Sequence, residues 1–242
     1  MAYKLLYLAR RNPAATAAEF PKLWRSHAAF VGQFGAVGNR FTRVMQCSRA
    51  LDEPGIAAAS AAYDGVAVLT CPTLEDTQTQ GLPPDVRAKV DVDEQRVFGG
   101  LVEDFSMRAA EHVLMDRGFD AARERAAVIT FMRARPGTTR AALCKDLKER
   151  HAAALLAIPA VARSAVRYVL NEVSGQPPAG YQFDAVSELW FPSVAEAVAA
   201  HADPAARAAL SALEKQLDPL RDAAGNVMMF TRVTHTWTAP QA

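Results

Sequence analysis

Three features are scarce or missing in the sequence: cysteine, a surplus of one charge, and long apolar runs. The three cysteines are far apart and form no Cys-x-x-Cys pair, which favours reduced, buried thiols in a cytoplasmic protein over a disulfide framework. The formal net charge of +1 argues against nucleic acid as a partner, because phosphate binding needs a concentrated basic surface. No apolar run approaches the roughly 18–20 residues of a membrane span, so no membrane association is predicted.

The sequence also lacks the short motifs by which common cofactor sites are recognised. It has no Gly-x-Gly-x-x-Gly, no phosphate-binding loop, no His-Glu-x-x-His and no Gly-x-Ser-x-Gly. His201 and Asp203, together with His235, imitate a two-histidine, one-carboxylate iron site. Asp203 is better explained as an N-cap, since Pro204 begins a helix there. We therefore predict neither a cofactor nor a metal.

The 242-residue chain repeats itself. Three pairs of segments match in the same order at offsets of 120 to 124: residues 63–76 with 183–196, residues 25–30 with 149–154, and residues 111–113 with 234–236. A duplication of this kind predicts two similar modules. We expect an N-terminal module over residues 1–118 and a C-terminal module over residues 124–242.

Both modules show the same order of elements. Each opens with a β-type run before a proline and continues with a helix whose apolar residues recur every three or four positions. Thr16 and Glu19 form a capping box ahead of the first helix. Further strands are predicted near 41–48, 163–172, 106–114 and 227–237, and further helices near 84–98 and 204–217. Asp64 and Asp184 each lead another strand. Those two strands end at Pro72 and Pro192, where another helix begins.

The order β-α-β-β-α-β is that of the ferredoxin-like fold, in which helices cover one face of an antiparallel sheet. The strands still carry apolar residues for the uncovered face. Two such sheets packed face to face would bury that surface, and their edges could pair into a closed barrel. We therefore predict an α+β protein in which tandem ferredoxin-like modules form an α/β barrel within one chain.

Four segments together give the sequence a resemblance to the EthD family of the dimeric α/β-barrel superfamily. They are KLLYLARR at the start, EFPKLWRSHAAF in the first helix, YDGVAVL and FDAVSELWF in the third strands, and AAEHVLMD at the end of the first module. The copies differ from each other at Trp24 against Lys148, Val68 against Glu188, and Glu111 against Thr234. The resemblance implies a barrel interior that holds a small organic molecule. It fixes no reaction, because superfamily members range from cofactor-free enzymes to haem-binding and non-catalytic proteins.

Four of the five histidines stand at equivalent places in the two copies: His27 with His151, and His112 with His235. Histidine suits proton transfer near neutral pH, so all four are candidate catalytic residues. His27 lies on the apolar stripe of its helix and should face the sheet. The alternative for any one of them is a core histidine bonded to a backbone carbonyl.

Glu188 is a fifth candidate catalytic residue because it lies in mid-strand between apolar residues. It is either an acid of raised pKa that lines the pocket or the partner of an arginine such as Arg133 or Arg167. Glu111 directly precedes His112, and adjacent residues on a strand face opposite sides of the sheet. A direct Glu111–His112 pair is therefore not expected unless a bulge intervenes.

Strand parity and position support two further predictions. The alternation of side chains groups His235 with Val233, Thr231 and Met229 on one face of the last strand. Asp64 opens its strand, and there a strand-end hydrogen bond explains it best.

Aromatic residues supply the candidate substrate-binding surface. They are Trp24, Tyr7, Tyr63, Trp190 and Phe131. Arginines end the first strand of each copy: Arg10, Arg11, Arg133 and Arg135. They are either a solvated strand end or a holder for an anionic substrate tail.

These observations favour a cofactor-independent enzyme that acts by proton transfer on a small apolar or aromatic compound, as a lyase or isomerase. Decarboxylation, dehydration, isomerisation and cyclisation all remain open. The alternatives are a non-catalytic small-molecule binding or stress protein, and a haem-dependent oxidative enzyme. The predicted partners are that small molecule and a second copy of the chain in a homodimer.

Overall fold

Eight antiparallel strands form one closed barrel in the computed structural model, which describes residues 2–52, 54–78, 82–123 and 125–240. The strands are β1 (Tyr3–Ala9), β2 (Arg43–Arg49), β3 (Gly65–Cys71), β4 (Ser106–Asp116), β5 (Ala126–Met132), β6 (Arg167–Ser174), β7 (Ala185–Phe191) and β8 (Val227–Thr238). Around the barrel they run β1-β3-β2-β8-β5-β7-β6-β4, and β4 returns to β1.

The barrel consists of two four-stranded sheets of the same topology. One sheet has the order β4-β1-β3-β2 and the other β8-β5-β7-β6, which is the ferredoxin-like order in both halves. The sheets join edge to edge where β2 pairs with β8 and β6 pairs with β4. The predicted fold class is therefore confirmed, while the module bounds 1–118 and 124–242 stay a prediction.

Helices cover the outside of the barrel. They are α1 (Phe20–Val31), α2 (Gly35–Gly38), α3 (Pro84–Phe98), α4 (Arg140–Asp146), α5 (Ala152–Ala157), α6 (Pro159–Ser164), α7 (Val194–Ala202) and α8 (Pro204–Leu217). A π-helical turn, Leu147–His151, joins α4 to α5, and short 3₁₀ turns occupy Glu75–Thr77, Val102–Asp104 and Ala223–Gly225.

Three short-range features predicted from the sequence form in the structure: the capping box, the cap of α8 and the strand-end bond of Asp64. The backbone N–H of Thr16 donates to a Glu19 carboxylate oxygen at 2.9 Å, and the Glu19 N–H donates to Thr16 Oγ1 at 3.3 Å, so the capping box forms. Asp203 caps α8 by accepting from the Ala206 N–H at 2.8 Å. Asp64 accepts from the Arg11 N–H at 3.0 Å, which is the expected strand-end bond.

Two predicted elements differ from the structure. Residues 163–164 end α6 rather than begin a strand, because Pro159 starts a helical turn there and β6 begins only at Arg167. The helix expected after Pro72 is reduced to the 3₁₀ turn Glu75–Thr77, whereas its counterpart after Pro192 forms the full helix α7.

The barrel interior of the described residues is packed with side chains. Alternate residues of every strand point inward and form one buried apolar cluster. Its larger members include Leu6, Leu8, Met45, Val66, Val68, Met107, Ile129, Phe131, Val186, Trp190 and Met229. The interior of this barrel is therefore a core, as in other eight-stranded barrels whose width just fits their side chains.

A buried ion network completes this core. The Lys4 ammonium, 1 % exposed, lies 2.6 Å from Glu188 Oε1 and 3.0 Å from Glu111 Oε1. Asn171 Nδ2 donates to Glu188 Oε1 at 2.7 Å, and Trp190 Nε1 donates to Oε2 at 3.0 Å. Every oxygen of Glu188 therefore has a donor, as a buried charge requires.

Glu188 thus belongs to the core and not to a pocket. The other role considered for Glu188, a carboxylate paired with a cation, is the one observed. The cation is Lys4, however, and neither Arg133 nor Arg167. Arg167 instead lies 2.9 Å from Glu111. Burial acts to raise the pKa of Glu111, but Lys4 and Arg167 together hold it below its usual value.

Loss of the Lys4 charge should destabilise the protein strongly. Lys4→Met leaves two buried carboxylates without their shared cation, so we expect the free energy of unfolding to fall by about 3–5 kcal/mol. Urea unfolding measures this change. Adding Glu188→Gln should recover part of the loss, because the two sites are coupled. Lys22→Met on the exposed side of α1 is the control, and an equal effect there would contradict the network's role.

Candidate functional site

A cavity of about 460 Å³ lies outside the barrel, between the helices of the first half and the outer face of the sheet. Its floor comes from β1, β3 and β2, its roof from α1, α2 and α3, and one side from the end of β8. The lining is mainly apolar, from Leu5, Ala28, Ala29, Val31, Val37, Phe41, Val44, Ala67, Leu69, Leu82, Val90, Val102 and Trp237. The polar groups are Tyr7, His27, Arg40, Gln46, Gln78, Arg87, Glu94 and His235.

A β-bulge brings His235 into this cavity. The pairing of β2 with β8 places Gln46 opposite His235 but Cys47 opposite Val233, so Thr234 is one extra residue in β8. The Thr234 hydroxyl hydrogen-bonds to Ser48 Oγ at 2.7 Å. The predicted parity of His235 with Val233 is wrong for this reason: Val233 packs against the barrel core, and His235 turns to the outer face.

His27 and Asp93 form a hydrogen-bonded pair at the cavity. His27 Nδ1 donates to Asp93 Oδ2 at 2.8 Å, and Arg96 Nε donates to the other carboxylate oxygen at 2.8 Å. Nδ1 is the bonded ring nitrogen among the residues that the structure describes, so Nε2 is the one left for a ligand. A carboxylate on Nδ1 fixes the ring orientation and the tautomer in which Nε2 carries a lone pair.

Burial lowers the pKa of His27, and the Asp93 hydrogen bond opposes that effect only in part. Burial acts to raise the pKa of Asp93, but its bonds to His27 and Arg96 hold it below its usual value. Near neutral pH the pair is therefore a neutral imidazole beside an ionised carboxylate. That is the protonation state of a general base.

The wall behind the histidine is held by a short chain of polar contacts. Trp24 Nε1 donates to the Tyr7 hydroxyl at 3.1 Å, and Gln46 Nε2 donates to the Trp24 carbonyl at 2.9 Å. Burial raises the pKa of Tyr7, so its phenol stays protonated. Gly65 is needed behind Trp24, since a Cβ there would stand 2.6 Å from the indole ring.

A second carboxylate lines the cavity at α3. Glu94 accepts from the Val102 N–H at 2.8 Å and from Arg87 Nη2 at 3.0 Å. Burial raises its pKa, against the lowering effect of these two donors. Arg87 also pairs with Asp91, so its charge is neutralised within α3.

The equivalent space in the second half is filled. Val44 lies opposite Leu69 and Tyr168 opposite Leu189, which makes the two residues counterparts. Val44 borders the cavity, whereas the Tyr168 ring is 1 % exposed and packs with residues of the α5 and α6 helices. A tyrosine in place of a valine thus occupies the volume that is open in the first half.

His151 occupies the place of His27 in this filled half, but its chemistry differs. It is 7 % exposed, and neither ring nitrogen has a hydrogen-bond partner among the described residues. Burial lowers its pKa. Among the described residues, His151 therefore has no carboxylate that fixes its ring as Asp93 fixes the ring of His27.

The π-helical turn accommodates one extra residue in the second half, so that residues on both sides of it keep positions equivalent to those of α1. Leu143 and Leu147 stand 123 residues after Phe20 and Trp24, and all four are fully buried. His151 stands 124 residues after His27, so one residue is inserted within the turn Leu147–His151. Trp24 therefore corresponds to Leu147 rather than to Lys148, which corrects the comparison of the two copies.

His112 lies on the outer face of the second half. It is paired with Leu170, as His235 is with Gln46, so the two histidines are true counterparts. Its Nε2 is 3.6 Å from a Glu172 oxygen, while Glu111 points inward to Lys4. As expected from strand alternation, Glu111 and His112 do not pair.

The predicted substrate-binding aromatics divide into three groups. Tyr7 lines the cavity, and Trp24 supports it from behind. Tyr63, Trp190 and Phe131 belong to the barrel core instead: Trp190 and Phe131 lie at inward positions of β7 and β5, and Tyr63 packs into the same cluster just before β3. The residues that the sequence did not indicate are Arg40, Gln46, Arg87, Asp93, Glu94 and Trp237.

The arginines at the strand ends do not border the cavity. Arg10 lies over the Tyr63 ring, Arg11 pairs with Asp64, and Arg133 donates to a backbone carbonyl. Arg135 also donates to a backbone carbonyl. They secure strand ends, and the anion-holding alternative has no support from their positions.

A model of the EthD domain matches residues 135–216. The matched segment runs from the start of α4 to the end of α8, in the half whose helix–sheet space is filled. The EthD resemblance is thus confirmed in the second half, and the barrel topology extends the same architecture to the first.

Solved structures of similar fold span nearly the whole chain. An anthrone oxidase-like protein is 13% identical with a TM-score of 0.59, covering 99% of this chain and 93% of its own. A mutant chlorite dismutase from Candidatus Nitrospira defluvii is 12% identical with a TM-score of 0.51, covering 95% of this chain and 91% of its own. At such identities the likeness shows the fold alone. No curated protein matches the sequence, and no helix in the described residues has the length and apolar character to cross a membrane.

The histidines, which are all buried or partly buried, should make the protein sensitive to acid. Burial lowers the pKa of His27, His112, His151, His201 and His235. The unfolded chain then binds more protons than the folded one below its histidine pKa of about 6.5, so stability is lost as pH falls below that value. His151→Leu should lose less stability than the wild type between pH 7.5 and 5.5 in urea unfolding. Equal losses would show that His151 is not a source of this sensitivity.

Proposed function

We propose that the protein is an enzyme that moves a proton on a small apolar or aromatic compound bound in the first-half cavity. The hydrogen-bonded His27–Asp93 pair at that cavity is the observation that carries the proposal. It combines a neutral base, a fixed ring orientation and an apolar enclosure, which are the requirements for general base catalysis. The reaction class is that of a lyase or isomerase.

The steps follow from the position of each group. His27 Nε2 accepts a proton from a carbon or hydroxyl group of the bound compound, and Asp93 stabilises the imidazolium that forms. Arg96 positions Asp93, so it acts through that residue and not on the compound itself. His235, Gln46 and the Tyr7 hydroxyl border the same cavity and are available to stabilise an oxygen that gains negative charge.

A haem-dependent oxidative enzyme is the alternative that the same pair suits. A histidine that ligates a metal commonly donates its other ring N–H to a carboxylate, as His27 does to Asp93. His27 would then hold the iron through Nε2, and the haem would supply redox chemistry in the cavity. The second half offers no equivalent, since His151 has no carboxylate partner among the described residues.

A ligand screen with matched histidine variants tests the proposal. Aromatic acids, quinones, phenols and terpenoids are added to the purified protein, and a compound that binds the folded state raises its Tm. His27→Asn should retain that shift and lower the turnover of the compound by about 10²–10⁴-fold, the usual contribution of a general base. The control His151→Asn should keep full turnover.

Three outcomes separate this proposal from its alternatives. Binding without turnover in the wild type would indicate a carrier. A Soret band on addition of haem, lost in His27→Asn but kept in His151→Asn, would indicate the haem enzyme. Val44→Tyr, which copies the residue that fills the second half, should abolish the melting shift and so locate the ligand in this cavity.

The pH profile should identify His27 as the base. Because the pKa of His27 is lowered, kcat/KM should decline only below the usual histidine value of about 6.5, as the imidazole becomes protonated. Asp93 raises that pKa, so Asp93→Asn should lower the rate and move the acidic limb to still lower pH. An unmoved limb in Asp93→Asn would assign the titration to another group.

A further inference from the structure

Arg40 is the charged group of the cavity whose charge is left uncompensated. It lies between α2 and β2 and borders the cavity together with Phe41 and Val37. Among the described residues no carboxylate oxygen lies within ion-pair distance of its guanidinium. Its hydrogen bond within that part of the chain goes from Nη1 to the Gln78 carbonyl oxygen.

The other ionisable groups of the cavity are already matched. Arg87 is paired with Asp91 and Glu94, and His27 is bonded to Asp93. The pKa of His235 is lowered, first by burial and then by Arg25, so it is neutral near pH 7. Among the described residues that line the cavity, Arg40 is therefore the positive charge without an ion-pair partner.

A guanidinium has five N–H donors in a planar fork that fits a carboxylate through two parallel hydrogen bonds. One donor of Arg40 is used on Gln78, and the carbonyl oxygen it meets carries no charge. The surrounding walls are aliphatic and aromatic, and such surroundings strengthen an ion pair relative to water. A half-buried arginine at an apolar cavity is thus suited to bind the acidic end of an otherwise apolar molecule.

We infer that the ligand of this cavity is an apolar or aromatic carboxylic acid whose carboxylate binds Arg40. The inference rests on the proposed function only in taking this cavity as the ligand site. It narrows the substrate class from small apolar compounds to their monoanionic acids. From the sequence, the arginines at the strand ends are candidate holders of an anionic substrate tail. The inference assigns that role to Arg40, which lies in a loop.

Paired ligands that differ only in charge provide the test. 2-Naphthoic acid and neutral 2-naphthamide are titrated into the full-length protein at pH 7.5 by isothermal titration calorimetry. The acid should bind at least about tenfold more tightly than the amide, since an ion pair with a guanidinium adds to the same apolar contacts. Raising the salt concentration should weaken the acid more than the amide.

Variants assign the preference to Arg40. Arg40→Gln should lower the affinity for the acid to that for the amide and leave the amide unchanged. Arg40→Lys should keep part of the preference, because it retains the charge without the fork. Arg207→Gln removes the same charge from the exposed side of α8 and should bind both compounds as the wild type does.

The inference is overturned if the wild type binds acid and amide equally, if Arg40→Gln keeps the preference, or if neither compound binds at 1 mM, a concentration on the order of the weakest specific affinities. None of these readouts depends on turnover. His27→Asn should retain the preference for the acid. An acid preference together with unchanged turnover in His27→Asn would uphold the carboxylate site and reject the proposed catalytic role of His27.

Discussion

The pairing of β2 with β8 is the interaction on which the candidate site depends. It joins the two sheets along one edge, and so it brings a strand from the end of the chain against the first half. The bulge at Thr234 then turns His235 outward, into the space that α1 and α3 enclose with His27. A site with both histidines therefore requires the closed barrel, although no part of the site lies inside it.

Closure also explains why the barrel interior is packed while the cavity lies outside the barrel. A closed sheet has no free edges and gives its inner face to packing, which here includes the buried Lys4–Glu188 pair. The cavity of the first half lies between the sheet and its helices. In the second half Tyr168 takes that volume, and its counterpart Val44 is too small to do so. This difference in side-chain size accords with a cavity on the first-half side of the barrel.

The repeat, the strand periodicity and the capping residues made the architecture predictable, because each is a local pattern that the fold obeys. The site was harder to predict for three physical reasons. A one-residue bulge reversed the facing of His235, and alternation cannot anticipate a bulge. Asp93 lies on α3, whose mixed polarity gave no sign that it meets His27 across the helix pair. Lys4 lies in a run that reads as an apolar strand, so the cation for Glu188 was sought among the arginines instead.

The charges in the cavity would couple ligand binding at Arg40 to the basicity of His27. Burial lowers the pKa of His27, and Asp93, which is bonded to Arg96, orients the His27 ring through Nδ1. An anionic ligand on Arg40 would neutralise that arginine and add negative charge to an enclosed space of low dielectric. Negative charge nearby raises the pKa of a histidine, so the bound acid would make His27 a stronger base than it is in the empty cavity. Binding and basicity would then be coupled: the base gains strength only when a ligand is present.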